Sequence, residues 1–160
     1  MSKKSPSAFV LQINVSKRGG LPKKSIPRVL VKKIGLSGDF NRYRMDKLGG
    51  DPTSAVMLLP NETIREFALK GYEIGPGSMG ENFTLEGIHY DDLAIGRRLL
   101  LGKEEDGAII KIERVCDPCD ELLVYGKNFP KATRGKRGMY CSVEREGQVS
   151  KNDSVKFLLE

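Results

Sequence analysis

In the stretch FVLQINV, from Phe9 to Val15, Phe9, Leu11, Ile13 and Val15 recur at every second position, with Gln12 and Asn14 between them. Successive side chains of a strand point to opposite faces, so this period reads as a half-buried β-strand. RVLVKKI, Arg28 to Ile34, is β-branched and half polar and reads the same way. Further strands are expected at AVMLL, NFTLEGI, RRLLLG, AIIKIERV, GMYCSV and VKFLLE, with glycine or proline in almost every gap. No helical pattern recurs between them, which favours a mainly β sandwich or barrel over repeated βαβ units; the barrel, with a few short helices, is the first expectation. One helix is expected in PNETIREFALKG, with Asn61 capping its start, Ile64, Phe67 and Ala68 sharing a face, and Lys70 and Gly71 ending it. A second short helix is expected after Cys119 in CDELLVYG.

The 160 residues suit a single domain over 1–160 with a frayed start at 1–7. Hydrophobic residues make up 39% and charged residues 30%, which is globular rather than disordered composition. Three cysteines leave at least one thiol unpaired within the chain, which argues against a secreted disulfide framework and for a reducing cytoplasm. MSKKSPSAFVLQINV is broken by Gln12 and Asn14 and reads as no signal peptide, and no stretch approaches the ~20 apolar residues of a spanning helix. A net charge of +6 points to a phosphate-bearing partner: nucleic acid, nucleotide or cofactor.

Two cationic loops surround glycine. SKRGGLPKKS sets Lys17, Arg18, Lys23 and Lys24 around Gly19 and Gly20, where backbone N–H groups and cations can converge on an anion, although the spacing is not that of a Walker loop. KATRGKRGMY repeats the arrangement with Arg134, Lys136 and Arg137 about Gly135, and an arginine fork binds phosphate geometrically where lysine acts as a point charge. Between them GPGSMGENF ends in adjacent Glu81 and Asn82, an acceptor beside an amide.

RVCDPCDELLVYG carries Cys116 and Cys119 at C-x-x-C spacing. A structural zinc site needs four ligands, and only Cys141 and the single histidine, His89, remain to complete one, so no zinc is expected. A thioredoxin-type pair belongs in a βαβ setting that the strand pattern does not offer. Asp117, Asp120 and Glu121 oppose thiolate formation locally, so any activation of Cys119 must come from cations supplied across the fold. Cys116 and Cys141 suit small buried apolar positions.

In order, GGLPK, GLSGD, KLGGDPTSAVMLL, GYEIGPGSMGENFTLEGI, DLAIGRRLLLG, DPCDEL and RGKRGMYCSVEREGQVSKNDSVKF resemble the MOSC domain, the C-terminal region of molybdenum cofactor sulfurase, over Val15 to Leu159. The resemblance implies a β-barrel fold with a functional cysteine after proline, here Cys119, which carries a persulfide or ligates molybdenum. It implies binding of the molybdenum cofactor, a molybdopterin whose phosphate the loops at Gly20, Lys23 and Arg137 would hold, with Glu81 and Asn82 shaping the pocket. Pyridoxal phosphate enters only by family association, through fused desulfurase modules; a cysteine desulfurase or a molybdenum cofactor biosynthesis protein is the implied partner. Cys116 is an extra thiol that would resolve a persulfide on Cys119. Leu48 stands where family members often carry histidine before Gly49 and Gly50, which counts against the alternative of a molybdenum-dependent reductase of N-hydroxylated compounds. A basic nucleic-acid-binding barrel is the other alternative, weakened by the lack of aromatics interleaved with the basic loops. No membrane partner is expected.

Overall fold

The computed structural model describes residues 7–40 and 49–159. Leu48 and all but Ser7 of the expected frayed terminus lie outside the described residues. Eleven strands are described: β1 (Phe9–Val15), β2 (Lys24–Ile26), β3 (Arg28–Lys32), β4 (Gly35–Leu36), β5 (Val56–Pro60), β6 (Phe83–Glu86), β7 (Arg98–Leu101), β8 (Ala108–Val115), β9 (Met139–Arg145), β10 (Gly147–Ser150) and β11 (Val155–Phe157). Helix α1 spans Asn61–Leu69 and α2 spans Phe129–Ala132, and short 3-10 turns cover Pro52–Ser54, Tyr90–Asp92 and Asp120–Tyr125. The last of these occupies the place where a short helix was expected after Cys119.

Eight strands form one sheet in the order β11-β7-β8-β9-β5-β6-β1-β2, and β10-β3-β4 form a second. The fold is therefore mainly β, but the expected barrel is not a closed sheet. The end strands β2 and β11 are not paired with each other, and the sheet curls only far enough for an isolated bridge between Phe9 and Ser154. Val155 N donates to Ala8 O at 3.0 Å and Val10 N to Asp153 O at 2.9 Å across that approach.

Two local expectations change. The strand pattern led away from βαβ units, yet β5 and β6 pair in parallel, Leu58 opposite Phe83, and α1 makes the crossover that parallel pairing requires. Asn61 does not cap α1: Pro60 is the cap residue, and the Asn61 amide donates to Glu86 Oε2 at 3.1 Å. The chain turns into the helix directly from β5, so Asn61 is already helical. Ile64 and Phe67 are buried as expected, joined by Thr63, while Ala68 is exposed.

The main core lies on the inner faces of the sheets and includes Val10, Ile13, Val31, Leu58, Phe83, Leu85, Leu99, Ile110 and Ile112. Each such side chain contributes about 1.5–3 kcal/mol by leaving water. A register shift between Val10 and Gln12 breaks the simple alternation of β1, so Val10 is buried and Leu11 is not. A second cluster of Leu59, Ile64, Phe67, Met79, Leu122 and Phe129 packs the helices beside the loop that precedes β6. A third, Met57, Cys116 and Tyr140, is small and sits under the site described next.

Candidate functional site

Four chain segments remote in sequence meet in one pocket. Its lining includes Gly20, Leu21 and Lys23 from the β1–β2 loop, Met57 and Gly80 from around the crossover, Cys116 to Cys119 after β8, and Arg137 and Tyr140 at the start of β9. Phe40, Arg114 and Glu121 complete the wall. The cavity is about 90 Å³. Pockets that enclose whole ligands run to about 300–1,000 Å³, so this one is too small to enclose a ligand of that kind.

The β1–β2 loop is locked to the glycine loop before β6. Lys23 N donates to Gly77 O at 3.0 Å. Gly77 has φ +89, and a Cβ there would lie 2.6 Å from the Lys23 carbonyl oxygen, so only glycine lets the two backbones approach. Gly77 N in turn donates to Glu81 Oε2 at 3.0 Å, and the Thr84 hydroxyl donates to the same oxygen at 2.6 Å.

Glu81 therefore builds the wall from behind. It is fully buried and does not line the pocket, and its Oε1 has no hydrogen-bond partner among the described residues. Burial holds its carboxyl above the ordinary value of 4.5, against the lowering effect of the Thr84 and Gly77 hydrogen bonds. A carboxyl raised in the folded state contributes stability that is fully present below its unfolded value and lost as pH rises through the folded one. Glu81→Gln is expected to remove that loss: its carbonyl can still accept from Gly77 and Thr84. Denaturation midpoints measured from pH 4.5 upward should fall for the unsubstituted chain and run flatter for the variant; parallel curves would overturn this reading.

Asn82 also stands behind the wall. Its amide donates to Asp39 Oδ2 at 2.9 Å while its carbonyl accepts from Met57 N at 3.0 Å. Asp39 is the organiser that the sequence reading passed over inside GLSGD. It accepts from Lys23 Nζ at 2.9 Å, from Asn82, and from Ser16 N at 2.9 Å. The Lys23–Asp39 pair is buried, with side-chain exposures of 5% and 3%. Lys23 thus enters the pocket with its charge already balanced by Asp39.

Of the second basic loop only Arg137 turns inward; Arg134 and Lys136 are exposed, and Lys136 reaches Glu66 at 3.4 Å on the surface. Arg137 is 5% exposed. Its guanidinium donates to the Met79 carbonyl and lies 3.6 Å from the Met57 sulfur, and its Nε has no hydrogen-bond partner among the described residues. Burial alone would pull its pKa down, but the thiols of Cys116 and Cys119, with Tyr140, hold it above the ordinary value, and it hydrogen bonds to Cys119. Gly80, φ +83, keeps the loop close: a Cβ there would meet Leu21 at 2.9 Å and Arg137 at 3.6 Å. Tyr90 fixes the turn from the other side, its hydroxyl donating to Gly138 O at 3.1 Å and accepting from Gly138 N at 3.2 Å. Burial pushes that hydroxyl up to about 12.

Arg114 is a further cation at the pocket, one that the sequence pattern did not single out. A register shift in β8 between Ile112 and Arg114 precedes it, and its guanidinium lies 4.6 Å over the Tyr140 ring while donating to the Ser54 hydroxyl. β-Bulges often re-aim side chains beside sites, and this signal is invisible in residue types alone.

The thiols differ. Cys119 is half-buried at the pocket, immediately before the 3-10 turn. Cys116 is buried in the pocket floor, and burial raises its pKa against the lowering effect of Arg137, the Tyr140 hydroxyl and Arg114. Cys141 lies in the main core, and burial pushes its thiol far up. His89 is on the surface, 2.8 Å from Glu62. Among the described residues no three His, Cys, Asp or Glu side chains gather as a metal site. No described helix is long and apolar enough to cross a membrane.

The family model of the MOSC domain matches residues 45–156. The YuaD protein of Bacillus subtilis superposes with a TM-score of 0.74 at 22% identity, covering 93% of this chain and 94% of that one. YiiM of Geobacillus stearothermophilus gives 0.74 at 23% identity over 95% of this chain and 75% of its own, and YiiM of Escherichia coli 0.74 at 19% over 97% and 71%. No curated protein matches the chain.

Proposed function

This chain belongs to the MOSC domain family, which is associated with the molybdenum cofactor, and from that membership we propose that its pocket receives the phosphate-bearing molybdopterin and that Cys119 is its working thiol. The observation that carries this is the pairing of a half-buried thiol with a buried arginine whose Nε has no partner among the described residues, in one cavity. A buried donor left unsatisfied costs about 1–3 kcal/mol, which an anionic ligand would recover. The donor set thus fits an anionic, sulfur-seeking group. Arg137 and Arg114 would hold the phosphate end, Lys23, its charge already paired with Asp39, would offer a positioned donor beside them, and Cys119 would be the thiol ligand. When bound, the cofactor supplies a metal centre able to exchange electrons and oxygen or sulfur.

The chain's own groups do the rest. Arg137 holds the Cys119 side chain in place by a hydrogen bond, Asp117 and Glu121 stand at the rim, and Phe40, Met57 and Tyr140 limit water. As a sulfur carrier, the Cys119 thiolate attacks the outer sulfur of a donor persulfide, R–S–SH; the donor S–S bond breaks, and R–S⁻ leaves with the electron pair and takes up a proton. The proposed donor is a protein persulfide of the cysteine-desulfurase class. Three free cysteines suit a reducing compartment such as the cytoplasm.

Elemental analysis for molybdenum, combined with peptide mass analysis of Cys119 for an added sulfur, tests the proposal. Molybdenum or sulfur near one per chain is expected; neither, after exposure to cofactor and persulfide donor, overturns it. Arg137→Ala should weaken retention roughly 10- to 100-fold, the loss of a charge-assisted hydrogen bond worth about 1.5–3 kcal/mol. Unchanged retention in a folded variant would remove Arg137 from the site.

A further inference from the structure

We propose that Cys116 discharges the sulfur that Cys119 accepts, so that the pocket releases hydrogen sulfide and closes a Cys116–Cys119 disulfide. The inference rests on the reading of Cys119 as the working thiol and adds a second activity to it.

Both sulfur-bearing residues line the same cavity, separated only by Asp117 and Pro118. Cys116 is anchored at the end of β8, where its N–H donates to Gly138 O at 2.8 Å, and Cys119 opens the next 3-10 turn. Proline between them narrows the backbone choices of the connecting turn. The Cys116 thiol makes a long contact of 3.6 Å to the Asp117 carbonyl, a bond easily surrendered. Arg137 lines the same cavity as both cysteines and hydrogen bonds to Cys119. Cys141 cannot substitute, because it sits in the main core between β5 and β8.

The chemistry balances without an external oxidant. The Cys116 thiolate attacks Cys119 Sγ, a Cys116–Cys119 S–S bond forms, and the bond to the outer sulfur breaks. HS⁻ leaves with that electron pair and takes up the proton that Cys116 lost. The outer sulfur is reduced to sulfide and the two cysteine sulfurs are oxidised to a disulfide. A dithiol reductant then restores both thiols, so sustained release consumes one reductant per sulfide.

The test uses reduced full-length chain loaded with glutathione persulfide, freed of excess donor, and followed with a sulfide electrode, intact mass and a non-reducing peptide map. The unsubstituted chain should release its added sulfur and end two hydrogens lighter, with Cys116 and Cys119 in one linked peptide. Cys116→Ala should load as well but hold its persulfide roughly tenfold longer or more, since exchange requires an attacking thiol. Equal release rates overturn the proposal, as does sulfide release without the linked peptide. The peptide map of the unsubstituted chain decides the matter even if the variant fails to fold. Uptake of sulfur by Cys119→Ser equal to that of the unsubstituted chain, or no uptake by either, would instead strike the underlying reading of Cys119, and this proposal with it.

Discussion

Cys119→Ser is expected to reduce both sulfur loading and molybdenum retention to background while leaving the fold intact. The hydroxyl is close in size to the thiol and can still accept from Arg137, so the pocket keeps its shape. It cannot form a persulfide, and it is far harder to ionise than a thiol, so both proposed roles end together. Cys119 is half-buried and packs in none of the core clusters, so the stability change should stay within about 0.5 kcal/mol. Cys141→Ala should behave in the opposite way: loading persists, and stability falls by about 1 kcal/mol because a fully buried side chain is shortened. Thermal melts and Cys119 peptide masses of both variants separate the roles. Full loading of Cys119→Ser would return Cys119 to an ordinary structural cysteine.

Asp39→Ala should be the most destabilising single change near the pocket, by about 3–5 kcal/mol, because removing one partner of a buried ion pair strands the other charge. Three groups lose their acceptor together: Lys23 Nζ, the Asn82 amide and Ser16 N–H. Lys23→Met on the same background should recover most of the loss, since the stranded ammonium is then gone. Denaturant titration of the single and double variants measures this directly. A cost under about 1 kcal/mol for Asp39→Ala would mean that the Lys23–Asp39 pair contributes no more than a surface bridge.

Strand positions were readable wherever apolar residues ran long enough to show a period. AIIKIERV matches β8 residue for residue, and RVLVKKI holds β3. The strands that escaped, β2, β4 and β10, are short or polar, as in KSI and GQVS, and exist because a neighbour offers a ladder rather than because of their own pattern. Closure of the sheet was not readable either, since it depends on twist and on where Ser154 falls beside Phe9. In the site, Gly20, Lys23, Cys119 and Arg137 could be found because glycine, cation and thiol announce themselves locally, and all four line the pocket. Glu81 and Asn82 were singled out in the right neighbourhood, and the structure places them behind the pocket wall, which they brace. Asp39 and Arg114 were missed because their roles are conferred by partners far along the chain, Lys23 and Asn82 for one, Ser54 and Tyr140 for the other.

The pairing of β3 with β10 has a bearing on how the molecule is made. A chain emerging from the ribosome N-terminus first must wait for Gly147–Ser150 before Arg28–Lys32 gains its second neighbour, with only the two-residue β4 beside it until then. During that interval Val29 and Val31 stand on an unprotected edge of the kind that recruits other nascent chains. The residues around them are Arg28, Lys32 and Lys33. Cations flanking a short β-branched run repel a second copy of the same segment, so they guard the strand during synthesis, before its late partner arrives.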